Sequence, residues 1–270
     1  MNKTTDTTRF DYVRLRYSTD HDLAQHKARE LDDLIALWRE TNPNCKGGHE
    51  HRVFPGGSAY DRQYCIEIWG DLAEVVTWLD FEEYADRLMR LDVRTELPTL
   101  KESGVHALTG HFRAKKKGQH NVISYTSKAR AKSRGRNAGG VGMALGSHKS
   151  TWRASAYKRA REAGAIEFQN SGDFLAKCVS TTISRRAIAE VDAAPWDALR
   201  AHIRVQGIQK LERAAGLDYG EVLALLSGAP AHERPLVWEQ TCFDIEVGFR
   251  GLPADVQQQV LDKLHSVRSF

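Results

Sequence analysis

The chain has 270 residues, 41% of them apolar and 27% charged, with a formal net charge of +4. This composition excludes wholesale disorder and a disulfide-stapled miniature, and it supports one large or two small domains. No run approaches the roughly 18 apolar residues of a membrane helix, and the opening MNKTTDTTRF lacks the apolar stretch of a secretory signal.

Phe10 to Ser18 reads as a strand, because Val13, Leu15 and Tyr17 alternate with Arg14 and Arg16. Asp20 or Asp22 caps a helix to about Glu40, with Leu23, Leu31, Leu34, Ile35 and Trp38 on its apolar side; Asn42-Pro43-Asn44 ends it. The polar stretch through Gly47, Gly48, Gly56 and Gly57 reads as a connection. Within it, His49-Glu50-His51 has the form of a metal-binding His-x-His pair, although Glu50 is ill suited to a buried strand. Cys45, His49, His51 and Cys65 follow no standard zinc spacing. The four cysteines include no C-x-x-C pair and fit reduced thiols in a cytoplasm.

Tyr64 to Trp69 predicts a second strand, ended by Gly70, and a helix is expected inside Phe81 to Met89. Arg90 to Leu97 has the most regular alternation. Leu91, Val93, Thr95 and Leu97 face one way and Arg90, Asp92, Arg94 and Glu96 the other. Lys115 to Gly140 reads as a loop or hairpin. Short strands are expected at Gly142–Gly146, around Ala154 and at Ala165–Gln169, and helices from Asp173 onward. The expected fold is α/β (α+β), a central antiparallel sheet flanked by helices. Residues 1–177 would form its core, with a basic loop at 113–140, and 178–270 a mainly helical region.

Charge is strongly segregated. Between Ser103 and Arg161 there are fourteen Lys or Arg and no Asp or Glu, so the remaining 211 residues carry −10. Nine of these cations, Arg113, Lys115, Lys116, Lys117, Lys128, Arg130, Lys132, Arg134 and Arg136, lie in one run. Such segregation points to a polyanionic partner whose binding falls steeply with salt.

Three segments carry candidate chemistry. Asp92 and Glu96 project from one side of a strand about 13 Å apart, too far to chelate one ion unaided. Glu167, on a following strand, is a closer partner for Asp92, and hard oxygen donors of this kind suit Mg²⁺ or Mn²⁺. A solvated strand face is the alternative. In Gly146 to Arg159, Ser147, Lys149, Ser150 and Arg153 can donate to phosphate oxygens. Read as a strand, the segment places Arg153, Ser155, Tyr157 and Arg159 on one side. A tyrosine among cations is suited to act as a nucleophile, and a tyrosine packed at the core edge is the plainer alternative.

Arg90-Leu-Asp-Val-Arg-Thr-Glu96 resembles the R-I-D-x-x-x-D segment of the phage and plasmid rolling-circle replication initiation factors, which are related to the staphylococcal plasmid initiators. Leu145-Gly-Ser-His-Lys-Ser-Thr-Trp-Arg-Ala-Ser-Ala-Tyr-Lys158 resembles that family's Y-x-G-S-R-x-S-x-x-x-R-x-Y-D-K block, and Ala165-Ile-Glu-Phe168 its R-x-E strand. Phe10 to Leu15 and Tyr64 to Gly70 are similar to its first strand and its strand ending in glycine. The resemblance covers residues 10–177. It implies a nuclease-like core in which Tyr157 and Lys158 are catalytic and Asp92, Glu96 and Glu167 hold Mg²⁺ or Mn²⁺.

The implied activity is nicking and rejoining of origin DNA through a 5′-phosphotyrosyl intermediate. Single-stranded and origin DNA, a host helicase and a second copy of the chain would be the partners, with no membrane, in a bacterial cytoplasm. A non-catalytic DNA-binding relative acting as a regulator is the alternative, and RNA binding a third.

Overall fold

The computed structural model describes residues 7–55, 62–115, 122–126, 140–147, 149–159, 163–188 and 193–228. The strands are β1 (Thr8–Ser18), β2 (Gly47–Pro55), β3 (Arg62–Gly70), β4 (Leu88–Leu97), β5 (Val122–Thr126), β6 (Gly140–Leu145), β7 (Trp152–Arg159) and β8 (Gly164–Ser171). They form one sheet in the order β2-β3-β1-β4-β8-β7-β6-β5, with every pairing antiparallel. The expected α+β class is therefore the observed one. The helices are α1 (His21–Thr41), α2 (Phe81–Tyr84), α3 (Glu102–Lys115), α4 (Gly172–Ala187), α5 (Pro195–Ala215) and α6 (Tyr219–Leu226).

The two faces of the sheet differ because the strands alternate. Leu91 and Val93 of β4, Ile66 and Ile68 of β3 and Val13 and Leu15 of β1 join Leu31 and Ile35 of α1 and Leu175, Leu199 and Ile203 of α4 and α5 in one apolar cluster. Leu97, Met143, Leu145, Ile166 and Phe168 join α3, α5 and α6 in a second cluster. Helices thus cover one face, and the residues between these positions build a charged opposite face. Asp20 caps α1 by accepting from the Asp22 and Leu23 amides at 2.8 and 3.2 Å, while Leu23, expected on the apolar side, is exposed.

Several expectations need correction. Of the stretch read as a connection, Gly47–Pro55 is β2, an edge strand whose polar residues suit a half-solvated position, and Gly56 and Gly57 lie outside the described residues. The helix expected inside Phe81–Met89 is one α turn and a 3-10 turn before Leu88 opens β4. For Lys115–Gly140, read as a loop or hairpin, the paired strands β5 (122–126) and β6 (140–145) follow the hairpin reading, while Lys115 belongs to α3. Position 177 falls inside α4, and α4 to α6 pack on the same clusters as the strands, so as far as Gly228 they are the sheet's covering layer. No helix among the described residues is long and apolar enough to cross a membrane.

Helix α5 lies unusually close to β8. A Cβ on Gly207 would stand 2.5 to 2.7 Å from the ring carbons of the fully buried Phe168. Gly207→Ala is expected to cost about 1–3 kcal/mol by overpacking, whereas Gly110→Ala in α3, with nothing within 4 Å, should gain up to about 1 kcal/mol from helix propensity. Urea unfolding of the two variants measures both; equal effects would contradict this packing.

Candidate active site

Strand register places the candidate residues on the charged face. Asp92 lies opposite Gln169, Arg94 opposite Glu167 and Glu96 opposite Ala165 across β4 and β8. Across β8 and β7, Arg153 faces Gln169, Ser155 faces Glu167 and Tyr157 faces Ala165. At about 4.8 Å between strands and 3.3 Å per residue, the Tyr157 Cα lies about 8 Å from that of Glu167, about 10 Å from Glu96 and about 16 Å from Asp92. The acids nearest the tyrosine are therefore Glu96 and Glu167, with Asp92 at the far end of a diagonal. A cleft of about 570 Å³ opens over this region, lined by Asp11, Tyr12, Arg90, Asp92, Glu96 and Glu167 among others.

Tyr157 is 6% exposed, but its surroundings are charged: the Arg94 guanidinium lies 5.6 Å from its ring centroid. Its hydroxyl oxygen is itself buried beneath the charged face and outside the lining of the cleft, so attack on a phosphate requires the side groups above it to move. Lys158, assigned beside it, projects from the opposite face, because neighbours on a strand alternate. Arg153 stands in the same row as Gln169 and Asp92.

The acids are heavily engaged. Asp92, 1% exposed, receives Arg90 Nε at 3.0 and 3.1 Å on its two oxygens and Arg90 Nη2 as well. That guanidinium also covers the Tyr12 ring at 4.4 Å. Burial pushes the Asp92 carboxyl up to about 7, against the pull of Arg90 and with the Glu167 charge adding to the rise. Burial likewise raises Glu167, as does the Asp11 charge, while Gln169 opposes this by donating at 2.9 Å. Glu96 accepts from Arg9 at 2.9 Å and faces Arg94 at 3.5 Å.

Asp11 is the acid that sequence reading missed. It pairs with Arg94 at 3.5 Å and reaches the charged face because the β1–β4 register slips between Phe10 and Tyr12. The signal was present in the spacing of the core residues. Phe10 and Val13 are three apart and Val13 and Leu15 two apart, so one extra residue must be a bulge.

The phosphate-binding candidates divide between described and undescribed positions. Arg113 is exposed on α3, and Lys115 closes that helix. Ser147 and Ser150 join hydroxyls at 3.0 Å in the β6–β7 turn, beside the exposed Lys149. The Ser171 amide donates to Thr151 at 2.9 Å, which seats this turn at the Arg90–Ser171 end of the sheet. Lys116, Lys117, Lys128, Arg130, Lys132, Arg134 and Arg136 lie outside the described residues.

Asp92, Glu96 and Glu167 do not bring their oxygens together as a set of three. Among the described residues the group that does converge is Asp32, His49 and His51, on the helix-covered side. Cys65 turns to the charged face, where Arg14, Arg16 and Glu67 act on it, and so cannot join that group. No family model, curated protein or solved structure matches the chain.

Proposed function

We propose that the protein is a replication initiator that nicks and rejoins origin DNA for rolling-circle replication, with Tyr157 as nucleophile. The observation that carries this reading is Tyr157 on one charged sheet face with Glu96, Glu167 and Asp92, beneath Arg94. In-line attack of the phenolic oxygen on a backbone phosphorus forms the phosphotyrosyl bond and breaks the P–O3′ bond. The phenolic proton ends on the departing 3′ oxygen, and reversal rejoins the strand. Arg94 and Arg153 neutralise phosphate charge along the face.

Asp92 and Glu167, with Glu96 beyond, are the residues that would hold Mg²⁺ or Mn²⁺. Their oxygens are of the kind such an ion takes, and an ion held there would polarise the scissile phosphate, but the three do not converge in the present arrangement. Arg90 now forks onto both Asp92 oxygens, so ion entry requires that fork to swing away. Single-stranded and origin DNA are the substrates, and a host helicase and a second copy of the chain are the expected partners.

The Arg90 fork also favours a second reading, a DNA-binding regulator without nicking activity, since a neutralised Asp92 has less need of a metal. Incubating the protein with Mn²⁺ and supercoiled DNA that carries its own gene and flanks separates the two. Relaxed circles support the initiator; binding without relaxation supports the regulator. Preference for structured RNA over single-stranded DNA at matched salt would contradict both.

Either DNA reading requires electrostatic binding. Removing the exposed Lys149 of the β6–β7 turn should lower single-stranded DNA affinity and flatten its salt dependence, by about 0.7 in log–log slope for a phosphate no longer neutralised. Fluorescence anisotropy between about 50 and 200 mM salt measures this; an unchanged slope would place the DNA elsewhere.

A further inference from the structure

On the helix-covered side, at the far edge of the sheet, His49 and His51 of β2 meet Asp32 of α1. The rings are two residues apart on one side of an edge strand, so both reach toward α1. Their Nε2 atoms lie 2.9 and 3.0 Å from the same Asp32 oxygen, Oδ1. The ring planes are nearly perpendicular, at 89°, with centroids 5.9 Å apart. All three ligand atoms lie within 4.8 Å of one another. His51 Nδ1 is 3.1 Å from the hydroxyl of the buried Tyr17.

We propose that Asp32, His49 and His51 form a binding site for a borderline divalent transition ion of the zinc class, separate from the Mg²⁺ or Mn²⁺ expected on the charged face. Two imidazoles and one carboxylate are the donor set such ions take, at about 2.0–2.2 Å, whereas magnesium prefers all-oxygen shells. Tetrahedral binding at these lengths separates ligand atoms by about 3.3 Å, so the present 2.9 and 3.0 Å to Asp32 need open by only a few tenths, and the third separation, between the two rings and at most 4.8 Å, needs to settle to the same length. The ion replaces the ring protons that now point at Asp32.

The Tyr17 hydroxyl supplies the outer hydrogen bond that orients a ligating imidazole, accepting from Nδ1–H once Nε2 is metal-bound. Partial burial works against charge on Asp32, but His51 and His49 outweigh it and hold its pKa below the ordinary carboxylate value, so it is ionised at neutral pH. Asp32 is 48% exposed and the two histidines 26% and 27%, which leaves the fourth position to water. The bound ion ties α1 to the edge strand β2.

The test is calorimetric titration of the EDTA-dialysed full chain with Zn²⁺, together with the absorption spectrum of its Co²⁺ form. One equivalent should bind, with a four- or five-coordinate cobalt spectrum free of thiolate charge transfer and a rise in melting temperature. His49→Ala and His51→Ala should each weaken binding at least about tenfold, in line with the loss of a ligand or its support, while His26→Ala, on the exposed side of α1, should bind like the parent. Equal Zn²⁺ affinity in parent and both variants, a thiolate signature, or no uptake by the parent overturns the proposal. If the alanine variants melt early without metal, Asp32→Asn gives the same comparison with the hydrogen bonding largely kept. Nicking by the parent in Mg²⁺ or Mn²⁺ is scored separately, so either site can fail without the other.

Discussion

Tyr157→Phe is expected to abolish nicking, by at least about 10³-fold, and to leave DNA affinity within about twofold of the parent. The variant removes one oxygen from a ring held beneath Arg94 and takes no charge from the face. Its fold should therefore persist, and its loss should appear in the chemical step alone. Relaxation of supercoiled DNA in Mn²⁺, beside an anisotropy titration, separates the two quantities. Parent-like relaxation would remove Tyr157 from the chemistry. A matching loss of affinity would make the residue a packing element.

Asp92→Asn should produce the second large effect, in opposite directions for activity and stability. The Asp92 carboxyl has a folded-state pKa of about 7 against 3.8 for the ordinary group. Between those values the folded chain keeps a proton that the unfolded chain has lost, so stability falls as pH rises through this window and levels off above it. At 1.36 kcal/mol per tenfold, the cost at pH 8 is on the order of 4 kcal/mol at most, because Arg90 can follow the charge. Asparagine cannot ionise. Relative to the parent, Asp92→Asn should be more stable at pH 8 than at pH 5 by at least about 1 kcal/mol in urea unfolding, while metal-dependent nicking is lost. A pH-independent difference would show that Asp92 is ionised without penalty.

What could be read from the sequence follows how strongly one face of each element is buried. The alternation of Arg90 to Leu97 identified β4 and its charged side because Leu91, Val93 and Leu97 are all buried on the other. Edge strand β2 shows no such contrast. His49 is half-buried and Val53 exposed, and Gly47, Gly48 and Pro55 carry the usual marks of a loop. The site was legible to the same degree. Glu167 and Tyr157 could be placed on one face with Asp92 from alternation alone. Asp11 was hidden by a bulge, and the fork of Arg90 on Asp92 depends on burial that alternation does not report.

Long-range partners were the least visible. Asp32 lies seventeen positions before His49 and belongs to a helix, so only the packing of α1 against the sheet edge joins them. Lys158 shows the converse, since adjacency to Tyr157 in the chain places it on the other face.

Mass spectrometry of a trapped protein–DNA adduct tests the central claim most directly. The protein is incubated in Mn²⁺ with circular single-stranded DNA carrying its gene and flanks, quenched in denaturant, and digested with nuclease and protease. A nucleotide bonded to the peptide at Tyr157 is the predicted result. An adduct at another residue, or DNA recovered fully intact after proven binding, would contradict it.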